Sequence, residues 1–497
     1  MRNWQEASAA VDRSHQPDQH TRLQVLLLRE EVLMAFRASM LLALSAVTLL
    51  SGCAAFRNYD SELAQTNQQL ASGNVDAALT LLEKNNTGTD KDLLYYFEKG
   101  ELLRAKGDLS GSQNAWGSAD QVVGQWEDAV KLDSAKYLAQ FGSFIVNDKV
   151  RRYEGYDYEK VMLTTQMALN LLAVNDFDGA RTAIKKTHER EAVIADLRDK
   201  EYLKSEEQAE KEGIKTQYKD LQGYPVASLD APEVVGLKNS YQSAFSHYLA
   251  GFVYEALGEK DLAAPGYRKA AELRPNTPLL EQALVNLDKP SKSDDSDILI
   301  VVQSGLAPAR DSIRVPLPLP ISNNVVITPL SFPIIKPDTS TAPFAQIGVD
   351  GKQVDLTALN STTAMSRRAL RDDMPGIIVR TTVRAITKGV AQKKINETNP
   401  LAGLAVGISS AVLEGADTRT WRTLPDNTQV VRLRLKKGEH QVTLPSAVGG
   451  SVVKVTVDQR YQVISLRAVG NQVFAGGIAA HVMPSAAATN VASLKQP

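Results

Sequence analysis

The residues able to do chemistry are few and scattered. Cys53 is the only cysteine in the 497-residue chain, which excludes an internal disulfide and any multi-Cys zinc or iron–sulfur site. Six histidines (His15, His20, His188, His247, His440 and His481) include no pair at metal-ligand spacing. A hydroxyl nucleophile needs a base beside it, and no Gly-x-Ser-x-Gly elbow is present. Gly348-Val-Asp-Gly351-Lys352 is the nearest approach to a phosphate-binding loop, but it lacks the length and the Ser/Thr and reads as a hairpin turn. Two carboxylate pairs could share acid–base work as in glycan cleavage. Asp294/Asp295 falls in a polar linker, and Asp372/Asp373 precedes Met374-Pro375, where acids sit near a helix start. Neither pair is placed in an evident apolar cleft. No catalytic, cofactor-binding or metal-ligating residue is assigned, no cofactor is expected, and the chain reads as a binding protein rather than an enzyme.

Charge narrows the partners. The 56 Lys+Arg against 57 Asp+Glu leave a net charge of −1, with no basic field for sequence-independent nucleic-acid binding. One local basic row stands out: Arg380, Arg384 and Lys388 run at i, i+4 spacing beside an apolar stripe of Val379, Val383, Ile386 and Val390. That row could meet phospholipid headgroups, a glycan or an acidic partner; its plain alternative is a solvated helix face.

Cys53 has a context of its own. Residues 34–52 combine one positive charge, Arg37, an apolar stretch over 40–50 and the closing Leu50-Ser51-Gly52. The stretch suits a secretory h-region and is short for a membrane span. Leu50-Ser51-Gly52-Cys53 resembles the bacterial lipobox, in which the thiol is diacylated and the chain is cut before it. The alternative is a buried helix with a packed thiol. The resemblance implies a mature chain from Cys53, anchored by more than one acyl chain. Ala54 in place of the inner-membrane aspartate implies the outer membrane, facing the periplasm. Residues 1–33 fit no part of a signal peptide and read as an upstream extension, with Met34 the true first residue.

These residues must be positioned by two different halves. Over 53–290 apolar residues recur at i, i+3, i+4 and i+7, a helical period. Gly251, Tyr254, Gly258, Ala263, Tyr267, Ala270 and Pro275 reproduce the small–aromatic–Gly–Ala–aromatic–Ala–Pro spacing of the tetratricopeptide repeat, which this half resembles. Gly100, Gly107, Trp116 and Ala119 mark a second copy, with Ser112 at its first Ala position. Weaker copies surround Gly73, Ala78 and Leu82, and Ala168, Asn175, Ala180 and Ile184. The alternative is a run of generic helical hairpins. Either way, the groove of the solenoid is the expected binding surface, and Tyr96, Trp116, Tyr254 and Tyr267 are expected inside the repeats. A charged helix over 185–221 is expected to project into solvent.

After a polar linker at 291–297 the composition changes. Eight of the 21 prolines fall between 308 and 343, which forbids central strands there and favours edge strands. Alternation predicts strands at 298–302, 429–435, 440–444, 452–457 and 461–469, with a hairpin turn at Lys436-Lys437-Gly438-Glu439 and a further pair formed by the last two. Helices are expected near 363–395 and 400–415, the second too short to span a bilayer. Gly438-Glu-His440-Gln-Val442 resembles a hairpin of small immunoglobulin-like envelope sandwiches. The tail, 484–497, is small, polar and expected to be disordered. The expected fold is α+β: helical repeats, then a sandwich-like β domain at 298–483 with two inserted helices.

The order of lipobox, repeats, Pro-rich segment and strands resembles a proteobacterial family of repeat-containing lipoproteins of unassigned function. The stretches that carry the likeness are Tyr153-Glu-Gly-Tyr-Asp-Tyr-Glu-Lys-Val161 with Ala168-Leu-Asn-Leu-Leu172, and Asp417-Thr-Arg-Thr-Trp-Arg-Thr-Leu-Pro425. The resemblance implies an outer-membrane lipoprotein binding envelope proteins through its repeats, as adaptor or scaffold in peptidoglycan or envelope assembly. A structural subunit of a surface or secretion assembly, or a glycan-active enzyme, are the competing readings.

Overall fold

The helices come in antiparallel pairs, and in two of them the second helix sets a large aromatic ring on a glycine of the first. The computed structural model describes residues 59–141, 152–289, 295–321, 324–398 and 416–483, all within one unit of residues 58–497. The pairs are α1 (Tyr59–Ala71) with α2 (Val75–Asn85), α3 (Leu93–Lys106) with α4 (Leu109–Leu132), α6 (Asp157–Leu172) with α7 (Phe177–Glu212), and α9 (Ala244–Ala256) with α10 (Lys260–Leu273). Shorter helices are α5 (Ser134–Phe141), α8 (Pro232–Val235) and α11 (Pro278–Leu287). A Cβ on Gly100 would lie 2.2 Å from Trp116 Nε1, and one on Gly251 would lie 2.5 Å from Tyr267 Cδ1. Left-handed residues turn each pair: Gly73, Gly107 and Gly258, with Asn175 (φ 61°) in the corresponding place between α6 and α7.

Among the described residues the strands form two five-stranded sheets and a separate hairpin. The first sheet has the order β11 (Gln472–Gly476), β10 (Tyr461–Val469), β1 (Ser296–Ser304), β7 (Asn427–Leu435), β6 (Thr357–Ser361). The second has the order β12 (Ala480–Val482), β9 (Val452–Val457), β8 (Gly438–Thr443), β4 (Gln346–Val349), β5 (Lys352–Asp355). Alternation along β1 explains the layering. Leu299 and Val301 enter the core of α6, α9 and α10, whereas Ile298, Ile300 and Val302 enter a core shared with Val349, Val442 and Val455 of the second sheet. The fold is therefore α+β, with the helix pairs packed on the first sheet and the second sheet behind it.

This packing corrects the expectation of an open groove. Fourteen of the 16 residues of α6 and 11 of the 13 of α9 are buried, which one apolar stripe cannot produce. Their second face is covered by the first sheet. Polar side chains lock the contact: Arg104 Nη2 donates to Ser465 Oγ at 2.6 Å, Arg467 Nε pairs with Glu101 at 2.9 Å, and Arg432 joins Glu255 at 2.6 Å to Asp297 at 2.7 Å.

Three further expectations change. Strands 429–435 and 440–444 are no hairpin: β7 and β8 belong to different sheets, and β9 and β10 are likewise unpaired with each other. Alternation marks a strand but not its partner. The charged helix ends at Gly213 rather than 221. Its first half does not project, because Arg190 is fully buried between Asp120 (2.9 Å), Glu127 and the Lys160 carbonyl (2.9 Å).

The Pro-rich segment forms a two-stranded hairpin, β2 (Ala309–Ile321) with β3 (Asn324–Lys336), in which Pro316 faces Pro329. Both strands are edges, so the missing donors break no third ladder. The hairpin packs on α12 (Thr362–Thr398) around Leu330, Phe332, Leu370 and Met374. Residues 1–33, the stretch 34–52 with Cys53, most of the 291–297 linker, the 400–415 helix and the 484–497 tail lie outside the described residues. Among the described residues no helix is long and apolar enough to cross a membrane.

Candidate functional site

Two buried carboxylates thread the 416–425 segment through the helices. Glu159, at the third position of α6, accepts its own cap N–H from Tyr156 at 2.9 Å through one oxygen. The other accepts Trp421 N at 2.7 Å and Thr420 Oγ1 at 2.9 Å. Glu98 of α3 accepts Arg422 N at 2.7 Å and Thr423 N at 3.0 Å. Between them the indole of Trp421 stacks on Phe97, 4.4 Å between ring centres. Burial pushes Glu98 up to about 7 against the pull of Thr423 and the backbone donors. The segments 153–161 and 417–425 thus meet in space.

Beside this junction opens a cleft of about 200 Å³. Its walls come from the 152–156 loop and the start of α6, from α7, from the β2–β3 hairpin, from α12 and from 416–419. Seven cations line it (Arg152, Lys160, Arg198, Arg310, Arg380, Arg384, Arg419) against five carboxylates (Glu154, Asp157, Glu201, Asp373, Asp417).

The carboxylates are committed. Arg198 holds three of them: Asp157 at 2.5 Å, Glu201 at 2.7 Å and Asp373 at 2.9 Å. Asp417 pairs with Arg419 at 2.7 Å, and Glu154 accepts the Tyr137 hydroxyl. Burial works against the Asp157 charge, but Arg198 and Lys160 outweigh it and hold this carboxyl below its usual range. Burial wins at Asp373, which is pushed up to about 6.

One buried guanidinium lacks such an acceptor. Arg310, the second residue of β2, is 5% exposed, and its Nε and Nη1 make no hydrogen bond among the described residues. Its compensation is a ring face, with the guanidinium carbon 4.2 Å from the centre of Tyr156. Tyr156 is itself stacked on Tyr158 at 5.8 Å. Arg380, which attracts the Asp373 charge through space, and Arg152 line the same cleft.

The residues singled out from sequence divide clearly. Gly100, Trp116, Ala119, Gly251, Tyr254, Ala263, Tyr267 and Ala270 are buried within the helix pairs. Gly107 and Gly258 make their turns, and Pro275 follows the end of α10. None of them lines the cleft. Arg380 and Arg384 do, and Arg384 is 8% exposed, so the basic row is not a solvated face there. Asp373 also lines it, contrary to the expectation that neither acid pair meets a cleft; Asp372 is held by Arg368 at 2.9 Å. Gly348-Val-Asp-Gly351-Lys352 is a hairpin turn between β4 and β5, with Asp350 at φ 48° and Gly351 at φ 78°.

Sequence reasoning passed over Arg152, Arg198 and Arg310, whose convergence only the fold creates. It also gave no hint that the His188 and His247 rings stack at 4.9 Å, with Glu191 Oε2 3.1 Å from His247 Nε2. No known protein family matches the chain, and no curated protein matches it.

Proposed function

We propose that the protein is a lipid-anchored scaffold of the cell envelope that binds rather than catalyses, with the arginine-lined cleft as its docking site. On this reading Cys53 carries the lipid and holds the chain at the periplasmic face of the outer membrane. The helix pairs are tetratricopeptide-like, but they cradle the chain's own β-sandwich instead of a foreign peptide. The observation that carries the proposal is the cleft itself. Helices α4 to α7, the β2–β3 hairpin, α12 and the 416–419 segment all contribute to its wall, its described carboxylates are committed, and Arg310 is buried with Nε and Nη1 lacking an acceptor among the described residues. An envelope component with an anionic group fits that arrangement. An envelope protein that docks on the helix pairs themselves meets their outer face, where Leu262 and Val285 are exposed.

Photo-crosslinking in living cells separates the two surfaces. Probes at Thr381 and Ser331, which line the cleft, are expected to trap a recurrent envelope component. Adducts only from Leu262 and Val285 would sink the cleft as docking site and return the role to the repeats.

A further inference from the structure

We infer that the group the cleft receives is a phosphate, as a monoester or diphosphate, rather than a carboxylate. The inference rests on the reading of the cleft as docking site and names what is held there.

The argument starts from geometry. A carboxylate carries one charge on two coplanar oxygens, and a single guanidinium satisfies it bidentately. The cleft already shows that solution at Asp417 and Arg419. Its other guanidinium groups are placed differently: Arg310, Arg380 and Arg152 stand on β2, on α12 and ahead of α6, three separate walls of one small cleft. Guanidinium groups on separate walls suit an anion with oxygens in several directions and a charge near −2, which a phosphate monoester supplies and a carboxylate does not.

The second observation is independent of the first. Arg310 is buried to 5% exposure with two donor nitrogens unpartnered. A buried guanidinium without a hydrogen-bonded counter-ion is costly; Asp373 and Asp417 attract it through space and the Tyr156 face touches it, but neither gives Nε or Nη1 an acceptor. Among the described residues, the cleft's carboxylates give Nε and Nη1 no acceptor, because Arg198 and Arg419 hold Asp157, Asp373 and Asp417. Arg310 is therefore kept ready for an anion from outside. Its planar, always-charged fork is the side chain suited to phosphate oxygens at a desolvated site.

The phosphate can be free or borne on a lipid, and the test distinguishes them. The purified full chain in detergent is titrated calorimetrically with inorganic pyrophosphate, with short-chain phosphatidic acid in mixed micelles, and with succinate. Saturable binding of pyrophosphate or phosphatidic acid, with succinate markedly weaker, supports the inference. Heat from pyrophosphate points to a free ligand, and heat from phosphatidic acid alone points to a lipid headgroup. Arg310→Met and Arg380→Gln are each expected to weaken binding by about tenfold or more; Arg380 sits at the half-buried rim and guards against a folding defect at Arg310. Succinate binding as well as pyrophosphate, no saturable binding of either phosphate compound, or binding indifferent to both substitutions would overturn it. Failure here with cleft adducts still formed in cells would remove the phosphate and leave the docking site. Phosphate binding without cleft adducts would do the reverse.

Discussion

The guanidinium of Arg310 lies 4.2 Å from the centre of the Tyr156 ring, buried and with Nε and Nη1 unpaired among the described residues. Stability and binding are set against each other at this contact. Replacing this buried charge by an apolar side chain of similar length removes a desolvation cost that hydrogen bonds at Nε and Nη1 do not repay, and gives up the ring contact and the through-space attraction of Asp373 and Asp417. Arg310→Met is expected to stabilise the ligand-free protein by about 1 kcal/mol, net of the lost cation–ring contact. Denaturant unfolding checks this, and a loss of stability would show that the guanidinium is internally satisfied.

Glu159 ties the helical half to the strand-rich half through Trp421 N and Thr420 Oγ1. Glu159→Ala strands those donors and the Tyr156 N–H, at a cost of roughly 3 kcal/mol. Because the two halves share a core through Leu299, Val301 and Val463, the variant is expected to lower one cooperative transition. Two separated transitions in calorimetry would mean the halves fold independently.

Close approach of the helix pairs makes a third prediction. A Cβ at position 251 meets Tyr267 Cδ1 at 2.5 Å, and Tyr267 cannot easily yield because its hydroxyl is held by Glu255 at 2.6 Å and Arg432 at 3.1 Å. Gly251→Ala is expected to destabilise by about 2 kcal/mol despite alanine's better helix propensity. Thermal melts of this variant beside Gly117→Ala, where nothing lies within 4 Å, isolate the packing effect.

Glu98 and Asp373 predict the pH dependence. Burial raises Glu98 to about 7 and Asp373 to about 6. A carboxyl whose folded-state pKa is raised favours folding in its protonated form. That contribution is full below the unfolded pKa, near 4, and is lost as pH rises through the folded value. Stability from these two groups therefore declines between about pH 4 and 7. Asp157, held low, acts oppositely and loses its contribution only in stronger acid. Melting temperatures across this range should fall less steeply in Asp373→Asn than in the parent chain; an unchanged slope would contradict the assignment.

The helix pairs were legible because glycine and aromatic residues at fixed spacing carry their own packing instruction, as Gly251 with Tyr267 illustrates. The edge character of 308–343 was legible for the same local reason: proline removes a donor wherever it stands. Partnering was not. Strands 429–435 and 440–444 alternate cleanly and are joined closely, yet the chain crosses from one sheet to the other between them. The groove was misjudged because a buried second face on α6 and α9 is indistinguishable in sequence from a face awaiting a ligand. The cleft was invisible for a related reason. Arg152, Arg198, Arg310 and Arg380 sit on four distant segments, and only the tertiary fold reveals which cations have carboxylate partners.

The central claim, that the cleft is where the protein binds, is tested most directly by a photo-crosslinker at Thr381 in living cells, with Arg380 intact and with Arg380→Glu. A recurrent adduct that disappears on charge reversal, while the protein level is unchanged, is the expected result. An adduct that survives reversal, or none from Thr381 in either background, would contradict the account.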